Sequence, residues 1–489
     1  MQLSELISEL ELTATYGSTE QRLVQKLTFD SREVEKDSLF VAISGTRVDG
    51  HDYIKQALEA GATVIVAEHG LAELADSTSA CLIELADSSA ALGQLAAQWY
   101  GQPSHQLQLI GVTGTNGKTT VTTLLHELFS GLGYKAGLLS TVSIRIGQQE
   151  KPATHTTPDA LSLNAALAEM VAAGVDYAFM EVSSHAVDQR RIAGLRFTGG
   201  VFTNMSHDHL DYHQTFQAYI EAKKMFFDTL PTSAFALVNI DDKRGPVMVQ
   251  NTAAQIARYS LRRLADFRAK VLDNSPAGLQ LEINGIEVFT RLLGRFNAYN
   301  LLAAYGTAML LEHDSLETLT ALSNLRAPNG RLEYLQDASG QRTAIVDYAH
   351  TPDALQNVLA TLRQTLVPAA RLLCVVGAGG DRDRTKRPEM ARIAAGLTDQ
   401  LILTSDNPRT ENPEAILDDM EAGLTKDQRT TTLRITDRRS AIATALRLAQ
   451  PGDLVLVAGK GHETYQEIQG KKLPFDDKEV IRETFATLS

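Results

Sequence analysis

The chain has 489 residues, with 46 Lys and Arg against 59 Asp and Glu, for a formal net charge of −13. Apolar residues at 44% and charged residues at 21% exclude a disordered chain, and the acidic balance argues against nucleic acid or an anionic membrane as partner. At roughly 100–200 residues per domain, the length accommodates about three domains.

The first twenty residues hold Glu5, Glu9, Glu11 and Glu20 and no Lys or Arg, so the basic start of a signal peptide is missing. No apolar run approaches the ~18 residues that a membrane helix needs. Cys81 and Cys374 each lie in an apolar stretch and read as small buried hydrophobes rather than a disulfide framework. The expectation is a cytoplasmic monomer without membrane insertion.

Short apolar strands alternate with helical patterns, which predicts α/β units with parallel sheets covered by helices. The first unit carries Phe29-Asp-Ser-Arg32, the segment Asp37–Gly50 and a strand at Ala62–Ala67. Gly101-Gln-Pro-Ser104 follows a helical stretch and suits a linker. Strand Gln108–Val112 comes next, then the loop Gly114-Thr-Asn-Gly-Lys-Thr-Thr120, then a helix with Val121, Leu124, Leu125, Leu128 and Phe129 on one face. Small residues in such a loop let backbone N–H groups approach phosphate oxygens at a helix N-terminus. Lys118 is placed to meet the β- and γ-phosphates, and Thr119 to reach Mg²⁺. The strict pattern has Gly where Val112 stands, and Gly114 supplies the flexibility instead. A tight strand-to-helix turn is the plainer alternative.

Further strands are expected at Tyr177–Val182, Phe235–Asn239, Ala344–Asp347, Arg371–Val376, Gln400–Leu403 and Asp453–Ala458. Hard ligands gather at Glu181, at His207-Asp-His-Leu-Asp-Tyr-His213 and at Lys223, although a polar loop and a solvated lysine explain the last two equally well. Ala327-Pro-Asn-Gly330 marks a second boundary. The expected division is 1–102, 103–328 and 329–489. In the last unit, Gly379–Arg384, Thr404–Arg409 and Gly459–Glu463 follow strands, where open α/β sheets bind ligands. Asp406-Asn-Pro-Arg409 also reads as a simple turn.

The loop Gly114–Thr120 resembles the ATP loop of the Mur ligases, which build the peptidoglycan stem peptide, and folylpolyglutamate synthetases have a similar one. The resemblance runs from Asp30 to Glu463. It implies a small N-terminal α/β domain that binds a UDP-sugar, a central P-loop ATPase-like domain and a Rossmann-like C-terminal domain that binds an amino acid. The ATP site would use Gly114, Thr115, Asn116, Gly117, Lys118, Thr119, Thr120, Asn297, Asn300, Arg331 and Asp347. Asp347 equally reads as a helix N-terminal acid.

Mg²⁺, as two ions, would be held by Thr119, Glu181, His209 and a CO₂-derived carbamate on Lys223. Lys118, Glu181, His209 and Lys223 would be catalytic. The first-unit pattern resembles the Mur ligases that extend UDP-MurNAc-L-Ala-D-Glu, which assigns that substrate to Phe29, Ser31, Thr46, Arg47, Val48, His155, Thr156, Thr157, Ser183, Gln189 and Arg191. Asp-Asn-Pro-Arg resembles the motif of members that add meso-diaminopimelate. That amino acid would meet Arg382, Asp406, Asn407, Pro408, Arg409, Gly459 and Glu463.

The resemblance thus implies an ATP-dependent amide ligase with three small-molecule substrates. The alternatives are a lysine-adding or folylpolyglutamate-type ligase and a non-catalytic nucleotide-binding regulator.

Overall fold

The computed structural model describes residues 1–488 apart from 46–47, 148, 153–155, 207, 209, 276–277 and 368. The expectations for Thr46, Arg47, His155 and His209 therefore lie outside the described residues.

Three larger sheets follow one another along the chain. The first is 5-stranded, in the order Ala14–Tyr16, Cys81–Glu84, Ala62–Ala67, Ser38–Val41 and Lys26–Thr28. Only Ala14–Tyr16 runs antiparallel to its neighbour. Helix Ser88–Trp99 packs Leu92 and Leu95 against Val64, Val66 and Ile83 of this sheet.

The second sheet has 11 strands. Strand Gln108–Thr113 lies between Tyr177–Glu181 and Gly199–Phe202, parallel to both. The chain leaves it through helix Lys118–Gly131 to one side and later returns on the other, so the loop after Thr113 opens at a topological switch point, where such sheets bind ligands. Val121, Leu124, Leu125, Leu128 and Phe129 are all buried in the core on this face. The stripe expected from sequence thus decides which way the helix turns, and the phosphate loop is anchored by it.

The parallel pattern is broken at both edges. Ala136–Leu139 continues into antiparallel Ser143–Ile146, and Phe267–Ser275 pairs antiparallel with Gly278–Ile283 and through it with Ile286–Thr290. These additions depart from the all-parallel reading. One has a local cause: Asn284 and Gly285 both take positive φ, 47° and 87°, the backbone of a two-residue hairpin turn.

The third sheet is 6-stranded, in the order Glu333–Gln336, Thr343–Asp347, Leu454–Ala458, Leu372–Val376, Gln400–Leu403 and Leu433–Arg434. All neighbours are parallel except the first pair. A separate hairpin, Tyr465–Ile468 with Lys471–Pro474, turns through Gln469 and Gly470, both at positive φ. Cys81 and Cys374 are buried free thiols, as read from sequence. Among the described residues no helix is long and apolar enough to cross a membrane.

Candidate functional site

Parallel register brings the ends of the central strands level: Val112 sits opposite Glu181 and Thr113 opposite Phe202. The loop leaving Thr113 therefore faces Glu181 on one side and Thr203-Asn204 on the other. Gly114 has φ +151°, and a Cβ there would run into the Thr203 hydroxyl. The glycine is needed here rather than at Val112, because this is where the loop crosses the neighbouring strand end. Asn116 N donates to Asn204 Oδ1 at 3.0 Å, and Thr115 N to Asn204 O at 2.8 Å.

Lys118 folds back to donate to Gly114 O and Thr115 O, both at 2.8 Å. Lys223, on helix Phe216–Asp228, reaches the same Gly114 oxygen at 2.9 Å. Two lysines thus converge on one carbonyl. Burial, reinforced by the Lys118 charge, holds the Lys223 amine well below the ordinary lysine range, with Asp208 opposing. Burial also lowers Lys118, while Glu181 and Asp208 pull it back.

Glu181 is 1% exposed and accepts Thr141 N at 2.7 Å. A carboxylate this buried, acting on the Lys118 amine, is of the type that could hold a cation. Lys118, Thr119, Glu181 and Lys223 line one cleft of about 310 Å³ with Thr156, Thr157, Ser183 and Arg191. The cleft's far wall comes from the C-terminal unit: Arg331, Tyr348, His350 and Arg382. Arg331 Nη2 donates to Thr119 Oγ1 at 3.2 Å, and Asn116 Nδ2 to Asp353 Oδ2 at 2.9 Å. Burial lowers His350 to about 4, with Lys386 adding to it, so the ring is neutral near pH 7.

Beside the cleft lies a cavity of about 400 Å³ lined by Asn116, Gly117, Thr120, Asn297, Asn300, Arg331 and Asp347. Asn300 Nδ2 donates to Asn297 Oδ1 at 2.8 Å, and Asn297 Nδ2 to Leu293 O at 2.7 Å. Asp347 accepts Leu332 N at 2.7 Å, and its carboxyl is raised by burial, against Arg331. It caps no helix: Thr351 does that for Pro352–Thr365, so the helix-acid reading of Asp347 falls away.

On the other side a space of about 1060 Å³ is lined by Phe29, Ser31, Val48, Gln189 and Arg191. Ser183 caps Ser184–Asp188 and accepts Thr157 Oγ1 at 3.3 Å. Thr141 Oγ1 donates to Thr156 Oγ1 at 3.1 Å. Arg191 donates to Gln189 Oε1 and, at 2.7 Å, to Thr157 O, which fixes its guanidinium between this space and the cleft.

The C-terminal loops form one cluster. Asp406 Oδ1 accepts Asn407 N at 2.7 Å, and Asn407 Nδ2 donates to Glu463 Oε2 at 2.7 Å. Gly459 has φ +115°, and a Cβ there would meet Asp406 Oδ2 at 2.5 Å. Gly380 N donates to Asn407 O at 2.9 Å, and a Cβ on Gly380 would collide with Pro408 O, so the two loops lie backbone to backbone. Arg409 Nη1 donates to Gly380 O at 2.7 Å, and Arg409 and Arg382 both flank Gly379. Arg409 itself, at φ 51°, is held by the hairpin through Glu467 O, which accepts Arg409 N at 3.0 Å.

Sequence reasoning misses Thr141, Asp208, Tyr348, His350, Asp353, Arg438 and Lys460. Several carry a signal, since Asp208, Tyr348, His350 and Lys460 lie within or beside the motifs of the phosphate-loop, metal and C-terminal regions.

A phosphate loop at the switch point of the middle of three α/β units defines a three-unit nucleotide-loop protein. Comparison with known proteins narrows this. The Mur ligase middle domain matches residues 112–308, the Mur ligase glutamate ligase domain residues 330–461, and the Mur ligase family catalytic domain residues 23–100. The UDP-N-acetylmuramoyl-L-alanyl-D-glutamate–2,6-diaminopimelate ligase of Cytophaga hutchinsonii is 53% identical, with 100% of each chain covered. Its namesake from Parabacteroides distasonis is 55% identical, over 100% of this chain and 99% of that one. A solved structure of a ligase of the same name superposes with a TM-score of 0.70 at 34% identity, covering 100% of this chain and 99% of the other. The chain belongs to the Mur ligase family.

Proposed function

We propose that this chain joins meso-2,6-diaminopimelate to the D-Glu γ-carboxyl of UDP-MurNAc-L-Ala-D-Glu at the expense of ATP, in the building of peptidoglycan precursors. The observation that carries this reading is that two ligand-sized spaces open onto one cleft that the C-terminal unit also walls. Arg331 lines both the cavity beside the phosphate loop and the cleft, and Arg191 lines both the cleft and the large space toward the first unit. Arg382 brings in the C-terminal loops. ATP would occupy the first space, the UDP-sugar the second, with its dipeptide running past Gln189, Arg191, Thr156, Thr157 and Ser183. The names borne by the full-length relatives support the same substrates.

The chemistry is dictated by the charges. A carboxylate is a poor electrophile until one oxygen becomes a leaving group, so the γ-phosphoryl is transferred first, giving an acyl phosphate. The amine of diaminopimelate then attacks, and phosphate departs. Lys118 offsets the repulsion between the two anions. Thr119, Glu181 and a carbamylated Lys223, with His209, would hold Mg²⁺ as two ions. Their oxygen donors suit it, and when bound the metal stabilises charge on the transferring group. Carbamylation needs an unprotonated amine, which the depressed Lys223 supplies. The N-terminal five-stranded sheet and Arg409 favour this reading over a folylpolyglutamate-type or lysine-adding one.

The test is phosphate release from ATP with UDP-MurNAc-L-Ala-D-Glu. Release with meso-diaminopimelate and not with L-lysine is the expected result. Release with lysine alone would refute the specificity, and none with either would favour a nucleotide-binding regulator. A second expectation concerns Arg409, whose guanidinium can grip the distal carboxylate that lysine lacks. Arg409→Ala should reduce the preference for diaminopimelate over lysine by roughly 10–100-fold, the worth of a hydrogen bond to a charged group. Competition kinetics with both amino acids reads it, and an unchanged preference refutes the assignment.

A further inference from the structure

Lys460 is 0% exposed, which is rare for lysine unless its charge is paired. Its Nζ donates to Asn407 Oδ1 at 3.0 Å and to Glu463 Oε2 at 2.9 Å, and it lies 5.4 Å from the Tyr465 ring centroid. Asn407 Nδ2 also falls on Glu463 Oε2. Both bonds therefore land on one oxygen, and they leave Glu463 Oε1 as the one to meet an incoming ammonium.

The surroundings show why a cation is needed there. Asp406 is buried and Glu463 largely so, and burial together with the Asp406 charge drives Glu463 toward its neutral acid, while Lys460 opposes this. Arg438 cannot replace Lys460. Its Nε and Nη2 are held by Asp477 at 2.8 and 2.7 Å, and its Nη1 stands 4.0 Å from Asp406 Oδ2. Arg409 is turned to Gly380 O and Glu467. Tyr348 and Tyr465 also face Glu463 but carry no charge near pH 7. Among the described residues, Lys460 is the single ion-pair partner of Glu463.

We infer that Lys460 is a positioning and specificity residue, orienting and charge-balancing Glu463 so that it accepts the distal ammonium of a diamino acid. The inference rests on the proposed diaminopimelate-adding activity, in which Glu463 meets the amino acid. A protonated Glu463 would present a hydroxyl where an acceptor is required, and the discrimination in favour of a distal amine would go with it.

The experiment compares meso-diaminopimelate with 2-aminopimelate, which keeps the chain and both carboxylates but lacks the distal amine. The full chain and its Lys460→Met variant are assayed for kcat/KM with each, at saturating ATP and UDP-sugar. Lys460→Met is expected to lower kcat/KM for diaminopimelate about tenfold or more, through KM. Values for 2-aminopimelate and the KM for ATP should stay within about twofold. The acid limb of the diaminopimelate profile should move to higher pH, since Glu463 then ionises later. Lys460→Arg should recover part of the loss.

The ratio between the two amino acids is read on whatever fraction is folded. Lys460→Gln, which keeps a donor without the charge, should move it in the same direction. A ratio unchanged in both Met and Gln variants overturns the inference while leaving the wild-type activity intact. Wild-type protein indifferent to the distal amine overturns the role of Glu463 itself, and this inference with it.

Discussion

Lys223→Ala is expected to lose about 10²–10³-fold in kcat, the usual cost of removing one aimed electrostatic group from an active site, and added formate or bicarbonate should restore part of the activity. The shared oxygen is the reason. Lys118 and Lys223 both donate to Gly114 O, and two ammonium groups that close repel each other inside a buried cleft. Converting Lys223 to a carbamate replaces a repelled cation with an anion that attracts Lys118 and any bound divalent ion. A plain structural lysine gives a different outcome: truncation would loosen the loop, and no small carboxylate would repair it. The measurement is steady-state turnover of the variant with and without formate. Full activity in the alanine variant would sink the carbamate reading, and a loss that no anion rescues would leave Lys223 as a loop anchor only.

Much of the site is legible in the sequence because its signals are local. The Gly-Lys-Thr loop, the helical stripe from Val121 to Phe129 and Glu181 at a strand end need only short-range spacing to be read. The fold sets the loop and Glu181 on one cleft and buries the stripe beneath them. The illegible part depends on which distant segments meet. Nothing in the run around Arg331 indicates that its guanidinium crosses to Thr119, far earlier in the chain. Likewise Arg438 lies on an ordinary amphipathic helix, and only the fold sets it between Asp477 and Asp406.

The hairpins are a different kind of miss. Asn284-Gly285 is a strong two-residue turn signal and Leu279, Leu281 and Ile283 alternate with polar residues before it, but exposed Ile286 and Phe289 blur the alternation of the second strand. Gln469-Gly470 has the same backbone with a weaker residue pair. Its hairpin matters more, because it holds Arg409 and Asn407: Glu467 O accepts Arg409 N, and Glu467 N donates to Asn407 Oδ1 at 2.9 Å. The turn alternative for Asp-Asn-Pro-Arg is not what forms: Asp406 is a bend, Asn407 and Pro408 are irregular, and Arg409 bridges to Ile468 of the hairpin. The hairpin is what fixes two side chains on the same cluster.

Lys118→Met is expected to be as damaging as the Lys223 change, again by about 10²–10³-fold in kcat, and the two losses should not multiply. Lys118 acts directly, by neutralising charge as two anions approach, and also indirectly. Burial is the main reason that Lys223 sits low, and the Lys118 charge is the next. Removing that charge lets Lys223 rise toward the ordinary lysine range, so more of it is ammonium at neutral pH and less can take up CO₂. The single Lys118 variant thus forfeits part of what Lys223 contributes. In a double-mutant cycle the combined variant should fall short of the product of the single losses, the mark of groups acting as a unit. Losses that multiply cleanly would show that the two lysines act independently, and the coupling through Gly114 O would then have no bearing on catalysis.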